Sequence, residues 1–138
     1  MATLIRAKLS ETNKYWVEKH RYYELKHFCL QYPFWERLYL ELDGFRGNGL
    51  DPTGSRSNTP GDPTSRFAED RALYFERMDL VRRIAYETDP DLATYIFKAV
   101  TEGLSFNYLK SKLEIPCGRD MYYDRYRRFF WLLDLARV

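Results

Sequence analysis

The stretch from residue 104 to residue 133, LSFNYLKSKLEIPCGRDMYYDRYRRFFWLL, decides the fold. Ser105 offers a hydroxyl to the free N–H groups of a short helix, FNYLKSKL, that begins at Phe106. Leu109 and Leu113 recur four apart and face inward. EIPCG (114–118) then breaks the helical period with Pro and Gly, placing Ile115 in the core. A longer helix leaves from Arg119 and runs to Ala136. On a wheel of roughly 100° per residue, Tyr122, Tyr126, Phe129, Phe130 and Leu133 share one arc, with Tyr123 at its margin. Asp120, Met121, Asp124, Arg125, Arg127 and Arg128 occupy the rest. The rings are therefore expected in the core and the arginines in solvent, so the interleaved string is no base-stacking platform. Short helix, turn and longer helix form a helix-turn-helix over about 104–137, an order whose second helix enters the DNA major groove.

Upstream, the pattern is also helical. Tyr15, Tyr22, Leu25, Cys29 and Tyr32 mark one face of a helix over about 12–31. Pro33 interrupts it, and 34–42 reads as a second short helix or a kinked continuation, stopped at Asp43-Gly44. FRGNGLDPTGSRSNTPGDP (45–63) offers almost nothing to bury and reads as a mobile loop, either a surface insertion or a partner-binding segment. A long helix follows over 64–86, with Phe67, Tyr74, Met78, Val81 and Ala85 on one face. In TDP, Asp89 suits an N-cap and Pro90 the first helical position of a helix that carries Leu92, Ile96 and Val100 and ends at Gly103. No segment alternates with period two and no repeat is present. The expectation is an all-α helical bundle: an N-terminal helical pair (1–44), a loop (45–63) and a helical region (64–138) closing in the helix-turn-helix.

The composition limits the function. An apolar fraction of 45% supports a real core, and an aromatic fraction of 17% makes much of that core rings. No run approaches the roughly 20 apolar residues of a membrane span, and the N-terminus lacks the apolar centre of a signal peptide. A cytoplasmic protein with no membrane association is expected, with Cys29 and Cys117 as free thiols. The net charge of +2 is small, but its distribution is uneven. Residues 43–97 hold seven Lys/Arg against ten Asp/Glu, whereas 98–138 hold eight against five.

Catalytic and metal signatures are missing. There is no phosphate-binding glycine loop, nucleophile elbow or dinucleotide fingerprint, and the carboxylates are scattered. His20, His27, Cys29 and Cys117 lack the spacing of a zinc site, and no cofactor is expected. Cys117, near a helix start, reads either as a packing residue or as a thiol of lowered pKa. A non-enzymatic protein follows.

The candidate DNA-contacting set is Lys110 and Lys112 for backbone phosphates, with Arg119, Tyr123, Arg125, Arg127 and Arg128 on the second helix. Asp120 and Asp124 would repel phosphate, and Asp124 and Arg128, four apart, are spaced to pair across a turn. Trp131 lies on the polar side of the wheel, either buried by a second layer or marking a partner surface. A rival set suits a protein partner: Asp62, Glu69, Asp70, Glu76, Asp79 and Trp131. In that reading the acidic middle blocks the basic channel of a host defence nuclease. A packaging protein is a third reading, for which no ring-forming segment is seen.

EGLSFNYLKSKLEIPCGRDMYYDRYRRFFWLL (102–133) resembles the helix-turn-helix of sigma-factor region 4, and more closely that of the ArpU/RinA family of phage late-transcription regulators. The likeness is carried by Leu104-Ser105, by Leu113 and Ile115 around the turn, and by Arg119-Asp120, Tyr122-Tyr123 and Arg125. YYELKHFCLQYPFWERL (22–38) is more loosely similar to the family's helix-Tyr-Pro-helix entry. Met121 departs from the family's Thr, and the turn is longer. The resemblance implies a phage-derived transcriptional regulator in the bacterial cytoplasm, bound to double-stranded DNA and touching RNA polymerase. A module this small gains affinity by forming a homodimer.

Overall fold

The computed structural model describes residues 13–47 and 63–137 of the chain. Its helices are α1 (Lys19–Leu30), α2 (Tyr32–Gly47), α3 (Pro63–Thr88), α4 (Ala93–Glu102), α5 (Phe106–Ser111) and α6 (Arg119–Ala136). Among the described residues there is no strand, and the fold is all-α.

The helix limits follow from local hydrogen bonding, which in several places overrides the apolar pattern. The first helix begins at Lys19 and not at residue 12. Asn13 forms a turn, its Oδ1 accepting from the Tyr15 N–H at 2.8 Å, and Glu18 caps α1 by accepting from the Arg21 N–H at 3.0 Å. Tyr15 thus keeps its buried place without being helical. Pro33 sits in the first turn of α2, where its missing N–H costs nothing, so the Tyr-Pro step starts a new helix rather than bending an old one. Contrary to the expected stop at Asp43-Gly44, the α2 backbone stays helical to Gly47. Of the expected loop, 45–47 are helical and Pro63 opens α3, while 48–62, Asp62 included, lie outside the described residues.

Asp89 does cap the chain as expected, but one turn early. Its Oδ1 accepts from the N–H groups of Asp91 (3.0 Å) and Leu92 (3.3 Å), and regular helix starts only at Ala93. The α4 end is set by Gly103 at φ 72°, with the N–H groups of Gly103 and Leu104 both returning to the Ala99 carbonyl. A side chain at Gly103 would be strained by that φ.

The chain divides into two compact units, one of Met1–Gln31 with Val81–Val138, the other of Tyr32–Leu80. These differ from the segments suggested by the sequence, because α1 packs with the C-terminal helices. In the first unit α1 lies against α4 and α6, and α4 contacts α5 and α6. Leu25, Cys29, Ile96, Leu109, Ile115, Tyr122, Phe129 and Leu133 are all at most 1% exposed and form its core. Rings lock the seam: Tyr22 meets Phe130 edge-on at 5.1 Å, and Phe106 meets Tyr122 at 5.5 Å. Contacts of this kind add about 0.5–1.5 kcal/mol each to the area they bury. In the second unit α2 buries Tyr32 and Trp35, and α3 buries Met78.

Two outcomes follow. Phe129→Ala removes a fully buried ring and should cost about 3–5 kcal/mol, measured as a drop in the urea midpoint. Burial pushes the Cys29 thiol far above its ordinary range, and Cys117, half-buried, is also raised, chiefly by burial and not lowered by the helix start. A thiol reagent at neutral pH should therefore modify Cys117 in the native protein, slowly for an accessible thiol, and reach Cys29 only on unfolding.

Candidate nucleic-acid interface

The segment expected to form a helix-turn-helix is built from α5 and α6. The Ser105 Oγ accepts from the Tyr108 N–H at 3.1 Å, capping α5 as expected. The helix ends at Ser111, two residues short of the expected Leu113, because the chain turns through Glu114 at φ 53°. The Leu109 carbonyl accepts from both Leu113 (3.2 Å) and Ile115 (3.0 Å), which draws Ile115 into the core. Residues Lys112–Gly118 connect α5 to α6, longer than the common helix-turn-helix connection of about three to four residues. Lys110 closes this turn, its Nζ donating to the carbonyls of Ile115 and Cys117 at 3.3 Å each.

The basic candidates separate into two groups. Lys110 on α5, Lys112 in the turn and Arg119 at the start of α6 are exposed. Arg119 is held there: its Nη2 donates to the Asn107 Oδ1 at 3.0 Å, and its guanidinium stands 5.0 Å from the Phe106 ring centre. Lys112 makes no ion pair among the described residues. Gly118 caps α6 in an extended conformation with no side-chain hydrogen bond, so the first N–H groups of an 18-residue helix have no side-chain cap.

The second group is Tyr123, Arg125, Arg127 and Arg128, all half-buried, where the wheel suggests solvent-facing arginines. Arg125 donates from Nε to Asp89 Oδ2 at 2.8 Å and from Nη1 to Asp124 Oδ2 at 2.5 Å. These carboxylates, Asp89 foremost, raise the guanidinium pKa and hold its charge. Asp124 therefore pairs with its neighbour Arg125, and the expected Asp124–Arg128 pair does not form. Arg128 instead donates to the Tyr15 hydroxyl at 3.3 Å, and the Nε atoms of Arg127 and Arg128 are buried without a hydrogen-bond partner among the described residues. Tyr123 packs on Tyr122 at 5.0 Å and Tyr126 at 6.1 Å.

Trp131 is half-buried, with the Tyr15 ring 5.5 Å away, so the segment before α1 supplies part of the layer that covers it. The far end of α6 is tied by Arg21, which donates from Nε to Asp134 Oδ1 at 2.6 Å and from Nη2 to the Arg137 carbonyl at 3.1 Å. The rival acidic set is split: Glu69, Asp70, Glu76 and Asp79 are exposed along α3, and Asp62 lies outside the described residues. His20 and His27 are exposed, and no group of three or more His, Cys, Asp or Glu able to hold a metal occurs among the described residues. Among those residues no helix is long and apolar enough to cross a membrane.

The residues that the sequence reading missed here are Asn107, Tyr15 and the second role of Asp89. Each acts through a partner 12 to 113 positions away. No spacing rule within one helix could register them.

No protein-family model matches the chain, and neither a curated protein nor a solved structure matches it.

Asp89 joins the start of α4 to α6, and removing its two roles in turn separates them. Asp89→Asn keeps an acceptor for the cap and loses the ion pair, for a cost of about 1 kcal/mol. Asp89→Ala loses both, for about 2 kcal/mol. A double-mutant cycle with Arg125→Ala in urea unfolding should give a coupling of at least about 0.5 kcal/mol.

Proposed function

We propose that this chain is a DNA-binding regulator of transcription that contacts duplex DNA through the α5–α6 end of its C-terminal helix-turn-helix. The observation that carries this reading is the clustering there of exposed Lys110, Lys112 and Arg119 beside the uncapped start of α6. Lysines contact phosphates as mobile point charges, and free N–H groups at a helix start favour an anion. Met121, exposed in the first turn of α6, is placed to meet a thymine methyl, and Asp120 to accept from a cytosine amino group. The contact moves toward the turn relative to the sequence expectation. Arg125 is already neutralised by two carboxylates, and Arg128 is drawn toward Tyr15. A footprint this narrow favours use as a homodimer on paired half-sites, with RNA polymerase as a further partner.

Retention on duplex DNA at about 50 mM salt, weakening steeply as salt rises, is the expected behaviour. Lys112→Ala should lower the slope of log affinity against log salt by about 1 with no loss of thermal stability. Arg125→Ala should lower stability first. Absence of duplex binding at that salt would overturn the reading.

A further inference from the structure

Among the described residues, the second unit leaves apolar side chains exposed on helices that each bury one face. Tyr32, Trp35 and Met78 are inside, whereas Leu40 is 59% exposed and Phe75 49%. An open groove of about 310 Å³ is lined by Tyr39 of α2 and by Ala68, Arg71, Ala72 and Phe75 of α3. Ala68 and Ala72 lie one helical turn apart, both exposed, and leave room for a close backbone approach. Tyr39 and Phe75 are the walls, their ring centres 6.1 Å apart, and the Arg71 guanidinium stands 4.2 Å from the Tyr39 ring centre.

Apart from Arg71, which lies over the Tyr39 ring, the charges at helical spacing from the groove floor are acidic. Glu69 and Glu76 flank Ala72 at spacings of three and four on α3, and α2 carries Glu36. All three are exposed, and none is held in an ion pair among the described residues.

We propose that this groove docks a basic amphipathic helix of a partner protein. One or two aliphatic side chains at helical spacing would enter between Tyr39 and Phe75, with the partner backbone crossing over Ala68 and Ala72. Lysines or arginines flanking those anchors would meet Glu36, Glu69 and Glu76. The volume is at the low end of small-molecule sites and suits side-chain anchors better than a free ligand. Charge selects among occupants. A second copy docked on the same face would bring Glu69 and Glu76 against their own equivalents, and nucleic acid would meet the same carboxylates, whereas a cationic helix is complementary. The surface is distinct from the α5–α6 end, and the inference stands apart from the DNA-binding reading.

The probe is a fluorescent synthetic peptide of about 18 residues with leucines at i, i+3, i+4 and i+7 and lysines on the flanks. Its twin carries glutamates in place of the lysines. Fluorescence anisotropy with the full chain should show micromolar binding of the lysine peptide and at least tenfold weaker binding of the twin. Ala72→Gln, which fills the groove floor with a helix-compatible side chain, should weaken the lysine peptide at least tenfold. Its far-UV circular dichroism, melting temperature and retention on duplex DNA should be unchanged. Glu69→Lys with Glu76→Lys should shift the preference toward the glutamate twin. Equal binding of the two peptides, binding of neither, or binding untouched by Ala72→Gln overturns the proposal. So does a concentration-dependent dimer in sedimentation that Ala72→Gln abolishes, which assigns the groove to a second copy.

Discussion

Burying the ring face of α6 is the constraint that organises the first unit. Tyr122, Phe129, Phe130 and Leu133 lie within 2% of complete burial on one 18-residue helix, and no single neighbour can cover that length. Helices α1 and α4 lie against it, with the α5 ring Phe106 near its start. Each buried side chain of this size gains about 1.5–3 kcal/mol over exposure. The packing therefore fixes α6 far more firmly than any ion pair on its flanks. Arg21 and the Asp89–Arg125 pair then anchor the far end and the middle of the helix. They act as positioning ties, since exposed or half-exposed pairs contribute about 0–1 kcal/mol each.

This enclosure controls where α6 can meet a ligand. A recognition helix needs a free face, yet residues 123–128 are all half-buried. The arginines there satisfy carboxylates, a tyrosine hydroxyl and packing within the protein. What stays open is the first turn of α6 and the loop that precedes it. That is the end at which a helix carries partial positive charge, and Lys110 and Lys112 add full charges nearby. The second unit has the opposite character, with carboxylates beside an alanine-floored groove. The two proposed contacts therefore differ in the charge that surrounds them.

The fold class was legible in the sequence because helical periodicity is a local property. The limits of α6 and the Ser105 cap follow from residues within a few positions of each other. Gly103 likewise announces its own left-handed conformation. The limits that failed were those set by weaker local rivals. An Asn13 turn and a Glu18 cap shorten α1, although the tyrosine stripe continues through Tyr15. Gly44 does not stop α2, since a glycine inside a helix costs only about 1 kcal/mol and ends it only where the chain turns left-handed.

For the candidate site, the sequence by itself determined the all-α class and the ring face of α6. Those depend on composition and on spacing along one helix. Only the tertiary structure decided which arginines stay available. Arg125 meets Asp89 from 36 positions away and Arg128 meets Tyr15 from 113 positions away. A helical wheel knows only its own helix, so it assigns to solvent any face that a distant segment later covers.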